Sequence, residues 1–181
     1  SLAACPVHLK NISTPAAEPP DAYWQRVFAL AGADPLAAFP LATRVDGLPI
    51  RAHFNAGCLA VRAEAGHLSA WREAFLRAAA DPALAVLSAE IPLRRIFLHQ
   101  AVLAAVILTR LPRGEIHILP ETVNYPVFLQ ARFGLTPPPG LVGLRYDRWQ
   151  NLASLPDGPW QPLLAQLSEV NTEEGEPHAN P

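Results

Sequence analysis

The hydrophobic positions of the N-terminal part predict a short strand followed by an amphipathic helix. Residues 3–9 are predicted to form the strand. Because proline cannot donate a hydrogen bond to a sheet, Pro6 predicts that this strand lies at a sheet edge or that Pro6 lies near its start. The helix is predicted from Asp21, a good N-cap residue, through about Leu30, since its apolar residues recur at helical spacing. Gly32 is expected to end it.

The middle of the chain predicts a hairpin, a strand and a second helix. The Asp46-Gly47 pair favours the positive φ angles of a tight hairpin turn. Residues 51–62 are predicted to form a strand, in which Gly57 marks a bulge or a close backbone approach. Residues 69–80 carry apolar side chains on one stripe of a helix.

The rest of the chain is predicted to contain two further helices and two further strands. Residues 95–110 are apolar on nearly all sides, which predicts a buried helix. Residues 115–119 and 141–146 are predicted to form strands, and residues 160–167 a last helix. The alternation of strands with helices favours an α/β fold with a mixed sheet flanked by helices.

Length and composition fit one soluble domain. The chain has 181 residues, 50% of them hydrophobic, which predicts a single α/β domain over residues 1–170 and a polar, disordered tail over residues 171–181. The formal charge of −2 argues against a nucleic-acid or anionic membrane surface. The longest apolar run, residues 101–108, is far shorter than the ~20 residues that cross a membrane. Cys5 and Cys58 are expected to be buried thiols, which favours a cytoplasmic location.

Three segments carry the candidate chemistry. Residues 53–62 read His-Phe-Asn-Ala-Gly-Cys-Leu-Ala-Val-Arg, residues 97–103 Phe-Leu-His-Gln-Ala-Val-Leu, and residues 118–126 Ile-Leu-Pro-Glu-Thr-Val-Asn-Tyr-Pro. In the first segment, the carboxamide of Asn55 offers donors and acceptors for sugar hydroxyls, and Gly57 lets a ligand approach the backbone. The alternative interpretation is a turn-forming bulge in which Asn55 caps backbone groups.

In this order the three segments resemble the second half of nucleotide-sugar glycosyltransferases of the GT-A type, particularly the glycogenin-like and lipopolysaccharide-galactosyltransferase-like families. His99 stands where those enzymes have an acid, and its alternative interpretation is a hydrogen-bonded core histidine. The resemblance implies a pocket with a candidate catalytic pair and several substrate-binding residues: His99 and Gln100 as the pair, and Asn55, Ala56, Gly57 and Asn124 as binding residues.

The sequence also departs from this family. The Asp-x-Asp motif that holds a divalent metal in these enzymes does not occur in the 181 residues. The resemblance places that motif before Ser1, so Mn²⁺ or Mg²⁺ is expected only with an N-terminal half, and no metal ligand is predicted in this chain. The family's later metal-binding histidine aligns with Arg145, which can neutralise a diphosphate but cannot bind a metal. Asn11 is a further substrate-binding candidate, the alternative being a surface loop.

Three functions fit these observations. The first is a glycosyltransferase-like protein, incomplete or inactive as this chain, that binds a nucleotide sugar or another carbohydrate. The second is a non-catalytic module that binds a carbohydrate or a protein partner. The third is an unrelated α/β domain of an oligomer. A homo-oligomer or a partner chain is expected in each case, because half of a GT-A sheet leaves a strand edge uncovered.

Overall fold

The computed structural model describes residues 1–145, 158, 160–162 and 165. Residues 1–121 form one compact unit, and a second unit begins at Thr122. The predicted tail, residues 171–181, lies outside the described residues, as does half of the predicted helix at residues 160–167. The boundary of the predicted domain at residue 170 stays a prediction.

The first unit contains short strands and mostly longer helices. Its strands are β1 (Leu2–Pro6), β2 (Pro40–Ala42), β3 (Pro49–Arg51), β4 (Phe54–Val61) and β5 (Ile116–Ile118). Its helices are α1 (Ala22–Ala31), α2 (His67–Ala79), α3 (Pro82–Ala89), α4 (Pro92–Ile96) and α5 (Leu98–Arg110). Their order along the chain is β1-α1-β2-β3-β4-α2-α3-α4-α5-β5.

The main sheet of the first unit is mixed, as predicted. Its order is β4-β1-β5, with β1 antiparallel to β4 and parallel to β5. The prediction that Pro6 marks an edge strand or a strand start is therefore wrong. Pro6 is the last residue of β1, and the pairing of β1 with β5 ends at Ala4. Because β5 does not pair with Pro6, the absence of an N–H group on the proline costs no hydrogen bond to that strand.

The register of β1 and β4 contains the bulge predicted from Gly57. Ala4 pairs with Leu59, but the next residue, Cys5, pairs with Asn55. Residues 56–58 of β4 therefore have no partner on β1 and loop out of the ladder. A bulge bends its strand and re-aims the residues around it, so this irregularity distinguishes residues 55–58 from the rest of the sheet.

Two predicted elements are each divided in the structure. Residues 51–62 do not form one strand: Arg51 belongs to β3, which pairs with β2 in a separate hairpin, and β4 begins only at Phe54. The helix predicted over residues 95–110 is divided at Phe97, whose ψ angle of 12° lies outside the helical range, so α4 and α5 are separate.

Capping residues fix the ends of α1 as the sequence predicts. The carboxylate of Asp21 accepts the backbone N–H of Trp24 at 2.9 Å, which satisfies one of the free donors of the first turn. At the other end Gly32 has a φ of 72°, the left-handed conformation that glycine adopts without cost. Both predicted ends are confirmed.

Helix α5 is the centre of the hydrophobic core. Every residue from Gln100 to Leu108 is buried, and the helix packs against α1, α2 and β4. The buried helix predicted from this apolar sequence is confirmed. Among the residues that the structure describes, no helix combines the length and apolar character required to span a membrane.

The second unit contains a small parallel pair and one short helix. These elements are β6 (Tyr125–Pro126), α6 (Gln130–Phe133) and β7 (Leu144–Arg145). Tyr125 stacks on Trp160 with ring centroids 6.3 Å apart, and Val127 is buried with them in a separate apolar cluster. The chain as described is a mixed α/β protein with small sheets.

Candidate functional site

The bulge of β4 is organised by its own asparagine. The Oδ1 atom of Asn55 accepts a hydrogen bond from the backbone N–H of Gly57 at 2.8 Å, and Asn55 is 4% exposed. Such a contact two residues along the chain is an Asx turn. It is the contact expected if Asn55 caps backbone groups. Ala56 is half-buried and Gly57 is exposed, so the outer part of the bulge reaches solvent.

The pair His99–Gln100 lies at the start of α5, the helix that packs on β4. Gln100 is 4% exposed, whereas His99 is half-buried. The backbone carbonyl of His99 accepts the indole N–H of Trp71 at 2.8 Å. This hydrogen bond from α2 fixes the first turn of α5, and with it the position of the candidate pair.

His53, to which sequence reasoning assigned no role, connects these two segments. It directly precedes β4 and is 1% exposed. Burial and the nearby charge of His99 lower the pKa of His53 to about 3, because a buried imidazole without a counter-charge is disfavoured as a cation. The charge effect shows that the structure brings residue 53 close to residue 99. A histidine between the apolar residues Ala52 and Phe54 is the sequence signal that would have singled it out.

The surroundings of His53 are those of a core residue. Its Nδ1 atom lies 2.7 Å from the hydroxyl of Ser13, and its ring meets the ring of Trp24 edge to face at 5.1 Å. Its Nε2 atom has no hydrogen-bond partner among the described residues. Ser13 and His53 resemble a nucleophile–base pair, but both are buried, so we assign their hydrogen bond to the core.

Asn11 lies near this cluster in sequence, in the turn that leads to Ser13. It is exposed and has a φ of 44°, a left-handed conformation that asparagine tolerates better than most residues. The position agrees with the surface loop that was the alternative interpretation of Asn11. Its role in substrate binding stays a prediction.

Asn124 and Arg145 belong to the second unit and are described by themselves. Asn124 is buried, has a φ of 62° and directly precedes β6. Arg145 ends β7, the strand that pairs with β6. Asn124 therefore lies just before one strand of the parallel pair and Arg145 at the end of the other. An amide and a guanidinium suit an anionic or hydroxylated ligand.

Two open cavities of the first unit, of about 400 and 560 Å³, have linings that include none of residues 55–57, 99 and 100. That these residues line one pocket stays a prediction. In the described part of the chain, no group of three or more His, Cys, Asp or Glu residues is placed to hold a metal ion. Neither Cys5 nor Cys58 forms a disulfide; Cys5 is buried and Cys58 is half-buried.

No protein-family model, curated protein or solved structure matches the chain. The class that its geometry defines is therefore a mixed α/β protein with a bulged strand packed on a buried helix. The residues of the bulge and of the start of α5 are the ones that bear on its function.

Proposed function

We propose that this chain is the second half of a GT-A-type nucleotide-sugar glycosyltransferase domain, with its donor-sugar segment at residues 55–57 and at the start of α5. The observation that carries the proposal is the exposed backbone of Gly57, which the bulge of β4 takes out of the ladder within the Asn-Ala-Gly triplet whose sequence suggested sugar recognition. The strand with this bulge also packs on the helix that presents His99 and Gln100.

The bulge supplies the features that sugar recognition needs. Gly57 is exposed and has no Cβ atom, so a hydroxyl group can approach its backbone closely. The carboxamide of Asn55 holds the loop through the N–H of Gly57. In this arrangement the backbone of the bulge contacts the sugar, and the asparagine acts chiefly by fixing that backbone.

The charge of Arg145, in the second unit, indicates an anionic group in the expected ligand. Arg145 can pair with the diphosphate of a sugar nucleotide, and His99 occupies the position of the family's acid. Without an Asp-x-Asp motif in these 181 residues, the chain is expected to bind a nucleotide sugar but not to transfer the sugar with a metal ion. A divalent metal would belong to the other half of such a domain.

Replacing Gly57 by valine is expected to weaken nucleotide-sugar binding by roughly tenfold or more, because the added side chain blocks approach to the bulge. Saturation-transfer NMR with UDP-glucose, UDP-galactose and GDP-mannose measures this binding. Gln100→Leu is expected to weaken it as well. Arg72→Gln, at an exposed position of α2, is the matched control and should bind like the unchanged protein.

The proposal fails if the unchanged protein binds none of these sugar nucleotides. It fails equally if Gly57→Val binds as well as the Arg72→Gln control. Circular dichroism of each variant establishes that the fold is retained, so that a loss of binding is not a loss of structure.

A second function, a partner-binding module, is favoured by the outer edge of β4. Within the described residues β4 pairs only with β1, and residues 54–61 contain no charge and no proline. Edge strands usually carry such residues to prevent pairing with another chain. Among the apolar residues of β4 and of the segment that follows β1, Val7 is buried and Leu9, Leu59 and Val61 are half-buried.

We expect the protein to associate through this edge at micromolar concentration. Size-exclusion chromatography with light scattering over ~1–100 µM is expected to give a dimer or a larger assembly. Ala60→Lys, which puts a charge at an exposed position of β4, should shift the protein towards the monomer, whereas Ala17→Lys in an exposed turn should not. A monomer at every concentration would contradict this prediction.

A further inference from the structure

Two open cavities adjoin among the helices α2, α3, α4 and α5. The first, of about 400 Å³, is lined by residues of α2 and α3 together with Arg95 and Leu98. The second, of about 560 Å³, is lined by Ala89, Pro92, Arg95 and Ile96 of the α3–α4 segment. The two linings share Ala89 and Arg95, so together they form one groove, which we call the α3–α4 groove.

Most of the side chains that line the α3–α4 groove are apolar, and Ser88 and Arg95 are the polar ones among the described lining residues. Leu84, Ala85 and Leu98 line it, and Ile96 at its open part is 59% exposed. Leu93 on the same short helix is also exposed. A contiguous exposed apolar surface that borders a concave site is typical of a place where an apolar ligand binds.

Among the described residues that line the two cavities, Arg95 is the only charged one. Among the residues that the structure describes, no salt bridge or hydrogen bond engages its guanidinium. Its neighbour Arg94 differs: it pairs with Asp21 at 2.7 Å, donates to the carbonyl of Leu87 at 2.7 Å and lies over the ring of Tyr23. Arg94 therefore stabilises the fold, whereas the hydrogen-bond donors of the Arg95 guanidinium are available to a ligand.

We propose that the α3–α4 groove binds a single-chain amphiphile, with its aliphatic body on the apolar walls and its anionic head group on Arg95. A guanidinium presents paired donors that match a carboxylate or a phosphate. A volume of about 400 Å³ lies within the ~300–1,000 Å³ of small-molecule sites. The inference is independent of the proposed function, because it uses none of the residues of the β4 bulge or the His99–Gln100 pair.

A membrane surface fits the groove less well than a single molecule. Attraction to anionic lipids comes from clusters of basic residues, but here one partner-free arginine lines the groove and the adjacent Glu90 carries the opposite charge at an exposed position. The concave shape of the open groove also suits one chain better than a flat bilayer surface. The occupant is therefore expected to bind as a monomer in solution.

Titration calorimetry with sodium laurate and with dodecyl phosphate, each below its critical micelle concentration, tests the proposal. Saturable binding of at least one is expected, with dodecyltrimethylammonium binding at least tenfold more weakly. Arg95→Gln should weaken binding about tenfold, the scale of one lost charge-assisted contact. Ala85→Phe should reduce it by at least as much by filling the groove. Arg72→Gln should leave it unchanged.

Several outcomes would overturn the proposal. It is wrong if neither anion binds, if the cationic amphiphile binds equally well, or if Arg95→Gln and Arg72→Gln bind alike. Binding to vesicles of phosphatidylglycerol without binding of either monomeric anion would assign the groove to a membrane surface instead. Circular dichroism and thermal unfolding of each variant establish whether the fold is retained. They therefore show whether a loss of binding comes from the filled groove or from unfolding.

Discussion

Replacing Trp24 by alanine is expected to lower the free energy of unfolding by about 3–5 kcal/mol, the range typical of a large aromatic side chain lost from a core. Trp24 is 5% exposed and contacts the rings of Phe28 and His53. Its indole N–H donates to the backbone carbonyl of Ile12 at 2.7 Å. The substitution therefore removes apolar contacts and leaves a buried carbonyl without its donor.

Urea unfolding followed by circular dichroism measures this change. Trp24→Phe is the matched variant: it keeps an aromatic ring but loses the hydrogen bond to Ile12, so we expect roughly half the destabilisation or less. Trp71→Ala provides a comparison at a half-buried tryptophan of α2, where less apolar surface is lost and the effect should be smaller. Equal effects at Trp24 and Trp71 would contradict the central position assigned to Trp24.

Acidification is expected to destabilise the protein between pH 6.5 and pH 3 through His53. In the folded protein the pKa of His53 is lowered to about 3, whereas an unfolded histidine titrates near 6.5. In this window the unfolded chain binds the proton and the folded one does not. The free energy of unfolding therefore falls as the pH falls, by up to about 1.4 kcal/mol per pH unit, and the stabilisation is complete only above pH 6.5.

Chemical unfolding at pH values from 7.5 to 4.5 measures this slope. His53→Gln, which can keep a hydrogen bond with Ser13, should remove most of it, whereas His117→Gln at an exposed position of β5 should not. His67 contributes a smaller slope of the same sign, because burial and then the charge of Arg110 lower its pKa. A slope unchanged by His53→Gln would show that His53 does not remain neutral.

The carboxylate of Asp81 accounts for stability lost at still lower pH. Its hydrogen bond with Arg26, and then the backbone N–H of Leu84, hold its pKa below the usual value. Its stabilisation is present above the normal pKa of aspartate and disappears as the pH falls through the lowered value. Measurements above pH 4.5 therefore report mainly on the histidines.

The sequence by itself determined the features that depend on neighbouring residues. Asp21 and Gly32 end α1 because a side-chain cap and a left-handed glycine act within one helical turn. The Asn-Ala-Gly triplet produces the bulge of β4 for the same local reason, through the contact of Asn55 with Gly57. The apolar character of α5 was sufficient to predict its burial, since no other environment suits such a helix.

The tertiary structure decided the features that depend on residues distant in the chain. The central position of β1 follows from its pairing with both β4 and β5, which no property of residues 2–6 reveals. The contact of Ser13 with His53 joins residues 40 apart in sequence, so His53 had no local signal beyond its apolar neighbours. The free guanidinium of Arg95 likewise depends on its distance from every carboxylate of the described chain. Pairing and proximity of this kind are set by how the whole chain packs, and local sequence patterns do not encode them.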